Sequence, residues 1–385
     1  MISGAGMKTA LFSITSSLHR EVPLSPLEEK FIQDIESYLE EPFIHSGSDF
    51  SRYTAGNRNV IYIRTGGTEG IFKSLGLDGD ITLLTSGQSN SLAASMEILA
   101  WLYSQGRKGT ILHGDPKKIA ESIENGTEPD GVSRNRFIRP LTRLNFQGAR
   151  LGVIGHPSDW LIASAVDYGK TRELLGLEIT DIPMEELLSR VRNSGVDLRS
   201  FEGSLAIYDA LKDIVGEYSL SGLTVRCFDL LDAVHNTGCL ALARLNAEGI
   251  ASGCEGDIPA LISMMISGRK TGCMGFQCNL SRVCGDDLLF AHCTAPLDML
   301  SGYEYDTHFE SGLGTAIKGT IRLGKALIYK VSPELDCEVA IPAVITRNLN
   351  ERNLCRTQIM VNAPGAAPYM LNHPLANHHL ITEVF

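Results

Sequence analysis

The 385-residue sequence has no surplus of positive charge; its formal net charge is −11. Nucleic acid and anionic membrane surfaces are bound mainly through excess Lys and Arg, so this balance argues against both as partners. No run of ~20 apolar residues could span a bilayer, and residues 1–12 lack the basic region and continuous apolar stretch of a signal peptide. Met7 is a candidate natural start. The sequence also has no C-x-x-C pair. Its nine cysteines, an odd number spread from Cys227 to Cys355, read neither as a disulfide framework nor as a zinc ribbon. They point to a reducing, cytoplasmic setting. The expected ligand is a neutral small molecule, or one handled through a metal.

What is present is ordinary for a globular protein, with 43% hydrophobic and 21% charged residues. The length allows two or three domains, because single cores seldom grow beyond ~250–300 residues. Strand-like runs at 8–14, 60–63, 81–84 and 110–113 alternate with helical ones at 25–38 and beyond residue 90. That alternation predicts a parallel sheet with helices on both faces. The loops 65–69 and 86–90 are rich in Gly, Ser, Thr and Asn at the carboxyl ends of strands, where open α/β sheets place ligands. They read equally as helix caps and tight turns. Neither is G-x-G-x-x-G or G-x-x-x-x-G-K-[ST], so a nucleotide is not indicated.

A polar stretch at 124–147 suits a connection between domains. A second α/β unit then starts at 150–155, and its first strand ends in His156-Pro-Ser-Asp-Trp160, which combines a possible base, a hydroxyl, a carboxylate and an aromatic face. After Cys284 the pattern turns to β. Runs at 288–293, 314–322, 325–331, 337–345 and 354–361 predict a small antiparallel barrel, with Leu323-Gly-Lys325 turning one strand into the next. The segment 372–385 ends in an apolar run, and a docked tail would bring its histidines indoors. The expected domains are 1–145, 146–284 and 285–385.

The most informative stretch is Cys254-Glu-Gly-Asp257, followed by Pro259. Pro suits the first turn of a helix, where its missing amide has no partner, so Asp257 reads as an N-cap and Glu255 as a carboxylate on the loop ahead. By spacing alone, the pair is a cap and a solvated acid. Glu255 with His292, His308, His373, His378 and His379 forms an oxygen and imidazole set that suits Mn²⁺ or Mg²⁺ better than a structural zinc.

Asn246-x-x-Gly249 followed by Cys254-Glu-Gly-Asp257 resembles the segment that carries the first metal-binding glutamate of the L-fucose and L-arabinose isomerases and their uncharacterised relatives. The resemblance covers most of residues 57–385, is densest from 237 to 293, and is closer to the uncharacterised relatives. It implies a Rossmann-like N-terminal α/β domain, a second α/β domain carrying the Glu-Gly-Asp loop, and a C-terminal antiparallel β-barrel. It further implies a homo-oligomer, trimer or hexamer, that interconverts an aldose and a ketose (a pentose, deoxyhexose or modified sugar) with Mn²⁺ or another divalent cation.

Carried over residue by residue, Glu255 matches the first ligand, His292 in Phe290-Ala-His-Cys293 the intermediate histidine, and His379 the late one, with His378 as its alternative. Phe276-Gln-Cys-Asn279 occupies the place of the family's second acid. Asn279 there offers an amide oxygen but no base, which weakens the site's hold on a divalent ion. Glu255 and Asp257 are the expected proton carriers, and Ser158, Asp159, Trp160, Gln277 and Asn279 the expected substrate contacts. The alternatives are a sugar-binding protein without turnover and a metal-dependent lyase or hydrolase of a sugar acid.

Overall fold

The computed structural model describes residues 8–19, 22–126 and 136–385. Met7 and the middle of the 124–147 connection lie outside the described residues. The first unit holds β1 (Thr9–Ile14), α1 (Pro26–Glu36), β2 (Ile44–Gly47), β3 (Arg58–Ile63), α2 (Glu69–Ser74), β4 (Ile81–Leu84), α3 (Ser91–Ser104), β5 (Gly109–Leu112) and α4 (Pro116–Asn125). Its five strands are parallel, in the order β2-β1-β3-β4-β5. Successive side chains along a strand point to opposite faces. Accordingly, Phe12, Ile14, Ile61 and Ile63 pack with Leu92, Met96 and Leu99 of α3, whereas Leu11, Val60 and Tyr62 pack with Ile35 of α1 and Ile119 of α4. Helices thus cover both faces, as the alternation of strand and helix runs predicts. The edge strand β2 has no apolar run and is mostly exposed, which is why it has no strand-like signature in the sequence.

After β6 (Ile138–Pro140), the second unit comprises β7 (Arg150–Ile154), α5 (Tyr168–Leu175), β8 (Glu178–Ile182), α6 (Met184–Arg192), α7 (Phe201–Tyr218), β9 (Gly222–Val225), α8 (Phe228–Val234), α9 (Cys239–Ala247), β10 (Ala251–Cys254) and α10 (Ile258–Thr271). Its four strands are again parallel, ordered β10-β9-β7-β8. Ile154, Leu223 and Val225 pack with helices α6 to α9. Leu151 and Val153 pack with Ile258, Leu261 and Ile262 of α10.

The remaining elements are β11 (Phe276–Cys284), β12 (Asp287–His292), β13 (Leu300–Asp306), β14 (Ala316–Ile321), β15 (Gly324–Val331), β16 (Cys337–Asn348), β17 (Thr357–Asn362), α11 (Ala367–Asn372) and β18 (His379–Thr382). Strands β15-β18-β11-β12-β17-β16 follow one another antiparallel, and β16 pairs back with β15, closing a six-stranded barrel. The barrel starts earlier in the chain than the expected boundary at 285, because β11 is one of its staves. It also recruits β6 from the connecting stretch, against β16.

One sequence expectation is corrected. Leu323-Gly-Lys325 does not fold β14 onto β15, since both edges of β15 are taken by β16 and β18. Strand β14 instead pairs with β13 in a separate two-stranded ribbon. The terminal apolar run docks as a stave between β15 and β11, with His378 and His379 both buried. Helix α3 lies against β3 and β5 and also against β11, which explains its burial on nearly every side.

Candidate functional site

A parallel sheet opens a crevice beyond the carboxyl ends of its strands where the strand order reverses. In the first sheet this point falls between β1 and β3, in the second between β7 and β9. Both crevices, together with one end of the barrel, open into a single cavity of about 240 Å³. Ser16, Gly66, Glu69 and Asn90 line it from the first unit, Trp160, Phe228, Asp232 and Glu255 from the second, and Asn279, Glu310 and Asn377 from the barrel unit.

Glu255 stands on the tight turn between β10 and α10. It has φ +62°, a left-handed conformation uncommon for a residue with a side chain, and Gly256 follows at φ +64°. A Cβ at Gly256 would meet the Ser158 nitrogen at 2.9 Å and the His156 oxygen at 3.1 Å, so only glycine lets the 156–160 loop close onto the turn. The Ser158 hydroxyl donates to the Glu255 carbonyl. Gln277 on β11 clamps the same turn, accepting from the Cys254 amide at 2.8 Å and donating to its carbonyl at 3.3 Å. Asp257 caps α10, its Oδ1 accepting from the Ala260 amide at 2.8 Å.

Three side chains converge here. His378 Nε2 lies 3.4 Å and His292 Nε2 3.8 Å from Glu255 Oε1. These are ion-pair distances, and His378 Nε2 makes no hydrogen bond. One ligand atom from each residue lies within 4.8 Å of the others, so the cluster could hold a metal ion. The rear nitrogens are anchored: His378 Nδ1 donates to Asp257 Oδ2 at 2.9 Å, and His292 Nδ1 bonds Thr294 Oγ1 at 2.9 Å. A carboxylate behind a histidine in this way fixes ring orientation and raises its basicity as a ligand. Trp160 Nε1 donates to Glu255 Oε2 at 3.2 Å.

Charge is balanced within the cluster. Burial pushes the Glu255 carboxyl up, but the facing His378 and His292 outweigh it and hold the group well below the usual carboxylate range. Burial opposes charge on His378, yet Glu255 and Asp257 together raise it to about 10. Beneath lies the fully buried Lys330, whose ammonium donates to the His378 carbonyl at 2.6 Å. Its charge acts on Asp257 and on Glu97 of α3. Glu97 in turn accepts from the amides of Ala163 at 2.7 Å and Asn377 at 2.9 Å, tying α3 to the segment that carries His378.

The expected site residues therefore divide. Glu255, His292 and His378 come together, and Asn279 lines the same cavity with its buried Oδ1 unpartnered. His379 lies outside the cluster. Its Nδ1 bonds the Asn377 carbonyl at 3.0 Å, its ring sits against Phe290, and burial lowers it to about 3. Asp257 does not line the cavity, and both its oxygens are occupied. Trp160 lines the cavity, whereas Ser158 and Gln277 bond the Glu255 turn itself. Asp159 pairs with Arg226 at 3.1 Å, its side chain 78% exposed, and His156 also faces solvent.

Sequence reasoning did not single out Glu69, Glu310, Asn90, Asn377, Glu97 or Lys330 as site residues. The first and third do sit at the ends of the two polar strand-end loops, which was the available signal. Glu69 is 2% exposed and its Oε2 has no partner. Burial, with the charges of Glu97, Glu255 and Glu310, raises it to about 8. Glu310 Oε1 accepts from Asn90 Nδ2 at 2.8 Å, and burial raises this carboxyl too. Among the described residues, no Lys or Arg lines the cavity. No protein-family model matches the chain, and no curated protein matches it.

Proposed function

We propose that the chain is a metal-dependent aldose–ketose isomerase acting on an uncharged pentose, deoxyhexose or modified sugar. The observation that carries this reading is a three-ligand cluster at the edge of a cavity whose walls are rich in unpartnered oxygen acceptors. Glu69, Asn90, Asn279 and Asn377 are lining residues, and each has a buried side-chain oxygen without a hydrogen-bond partner. An unmet buried polar group costs about 1–3 kcal/mol, so a ligand bearing several hydroxyl donors is favoured there. Among the described residues the lining has no Lys or Arg, which disfavours a phosphorylated sugar or a sugar acid, and with it the lyase or hydrolase reading.

Glu255, His292 and His378 would hold the ion, and Asn279 lines the same cavity. The donor set, one carboxylate and two imidazoles without thiolate, suits Mn²⁺ or a similar divalent ion such as Mg²⁺. When bound, such an ion polarises the substrate carbonyl and offsets negative charge building on its oxygen. The chain's own groups orient the parts. Asp257 keeps His378 in the tautomer that presents Nε2, Trp160 fixes the Glu255 carboxylate and offers an apolar face to the sugar ring, and the hydroxyls and amides of the walls position the substrate. By the resemblance, the working form is a cytoplasmic homo-oligomer, trimer or hexamer.

Asn279 favours a second reading, a sugar-binding protein without turnover, because an amide in the place of a second acid cannot move a proton. Both readings are tested by metal analysis of protein purified without chelator, followed by a screen of aldoses and ketoses with added Mn²⁺. Interconversion of any pair supports the isomerase. Tight sugar binding without interconversion supports the binding protein, and neither bound metal nor bound sugar would exclude both.

A further inference from the structure

We propose that Glu69 is the catalytic residue that carries the substrate proton in this cavity. This rests on the isomerase reading and assigns it a group outside the cluster at Glu255. The candidates are eliminated by geometry. Glu255 has one oxygen held by Trp160 and the other facing two imidazoles. Asp257 and Glu97 have both oxygens bonded and do not line the cavity. Glu310 accepts from Asn90 through Oε1 and is only partly buried, and Asp232 is exposed. Among the described acids, only Glu69 combines a nearly complete burial, a place in the lining and a carboxyl oxygen with no partner.

The position follows from the fold. Glu69 is the first residue of α2, reached from β3 through Thr65-Gly-Gly-Thr68, so it stands at the strand-order reversal of the first sheet. A ligand seated against the Glu255 cluster therefore has this carboxyl on another wall of the same cavity. The groups that act on Glu69 electrostatically are Glu97 on α3, Glu255 on the β10–α10 turn and Glu310 in the loop before β14, all acids. With burial they hold its proton to about pH 8. A carboxyl poised near neutrality gives and takes a proton far more readily than one held ionised.

The step balances without a further reactant. Ionised Glu69 takes the hydrogen of C2 as a proton, the C–H electron pair becomes the C1=C2 double bond, and the carbonyl pair moves onto O1. A proton passes from the O2 hydroxyl to O1. The O2 electron pair then forms the new carbonyl at C2, while the C1=C2 pair takes the proton back from Glu69 at C1. The aldose has become the ketose and Glu69 is again ionised.

The test uses the full chain loaded with Mn²⁺ and whichever sugar the wild type interconverts. Glu69→Gln is expected to lower kcat by about 100-fold or more, to remove the rise in kcat with pH that tracks Glu69 ionisation, and to leave Mn²⁺ affinity within about twofold. In metal-free protein, infrared difference spectra between pH 6 and pH 9 should lose a protonated-carboxyl band in the variant, a readout independent of turnover. Wild-type turnover matched by Glu69→Gln overturns the assignment and leaves the isomerase reading standing. Absence of wild-type turnover with every sugar overturns the isomerase reading itself. Should Glu69→Gln fail to fold, Glu69→Asp replaces it: a kcat loss above about tenfold with the pH limb retained supports the role, and unchanged kcat overturns it.

Discussion

On the wall built by the second sheet and the barrel, Glu255 faces two imidazoles, each anchored from behind. On the wall built by the first sheet, Glu69 is more deeply buried and has no partner on Oε2. The same side chain is held ionised in one place and protonated in the other, and neighbours decide which, since burial alone raises both. The compensated acid is suited to a cation and the uncompensated one to a proton.

The sharpest way to break this contrast is to remove charge from the first wall described. Glu255→Gln should weaken Mn²⁺ binding by about 100-fold or more, because the cluster loses its only carboxylate; equal affinity by titration calorimetry would rule out an ion between Glu255, His292 and His378. Asp257→Asn should come next, at roughly 10–100-fold, the effect usual for a group behind a metal-binding histidine. Asn still caps a helix, so α10 stays intact. A calorimetric affinity equal to that of wild type would show that the buried aspartate serves only the cap.

Acidity sharpens the comparison further. His378 is raised to about 10 in the metal-free protein and must lose the proton on Nε2 to bind an ion, so Mn²⁺ affinity should climb with pH by up to about tenfold per unit below pH 10. Calorimetry in buffers of different ionisation enthalpy should show proton release. For the metal-free fold the sign is opposite. A histidine raised above its unfolded value stabilises fully below about pH 6.5, and that contribution is lost as pH rises through 10. The smallest effect is expected from His379→Asn, which should change Mn²⁺ affinity by less than about twofold, since this ring lies outside the cluster. A large loss would mean that the two neighbouring histidines exchange places when the ion binds.

Much of this site was legible because its elements announce themselves locally. Asp257 before Ile258-Pro259 marks a cap, and the Cys-Glu-Gly-Asp string fixes Glu255 on the turn ahead of it. The His378–His379 pair could not be resolved in the same way. In a strand a shift of one residue turns a side chain to the other face, and nothing local sets the register of a tail that docks on strands distant in sequence. Glu69 and Glu97 were harder still. Glu97 lies in a helix that the sequence places correctly, but its meaning comes from the barrel unit packed against that helix, whereas Glu69 ends a loop after which the sequence showed no helix, and α2 begins with it. The parallel sheets and the barrel were readable from strand composition, whereas β2 and β6, short and polar, carried no comparable signal.

The place of β18 in the barrel bears on how the molecule is made. It is the last of the staves in sequence yet lies between β15 and β11, so the other five cannot close on themselves until residues 379–382 are available. During vectorial synthesis the unfinished ring exposes two open edges to any passing strand, a state prone to misassembly. Contacts between β11 and β18 span about a hundred residues of chain, as in the pairing of Cys278 with His379, and separations of that order slow folding. His378 joins Glu255 and His292 only when that stave is seated, so competence to take up an ion reports that the barrel has finished folding.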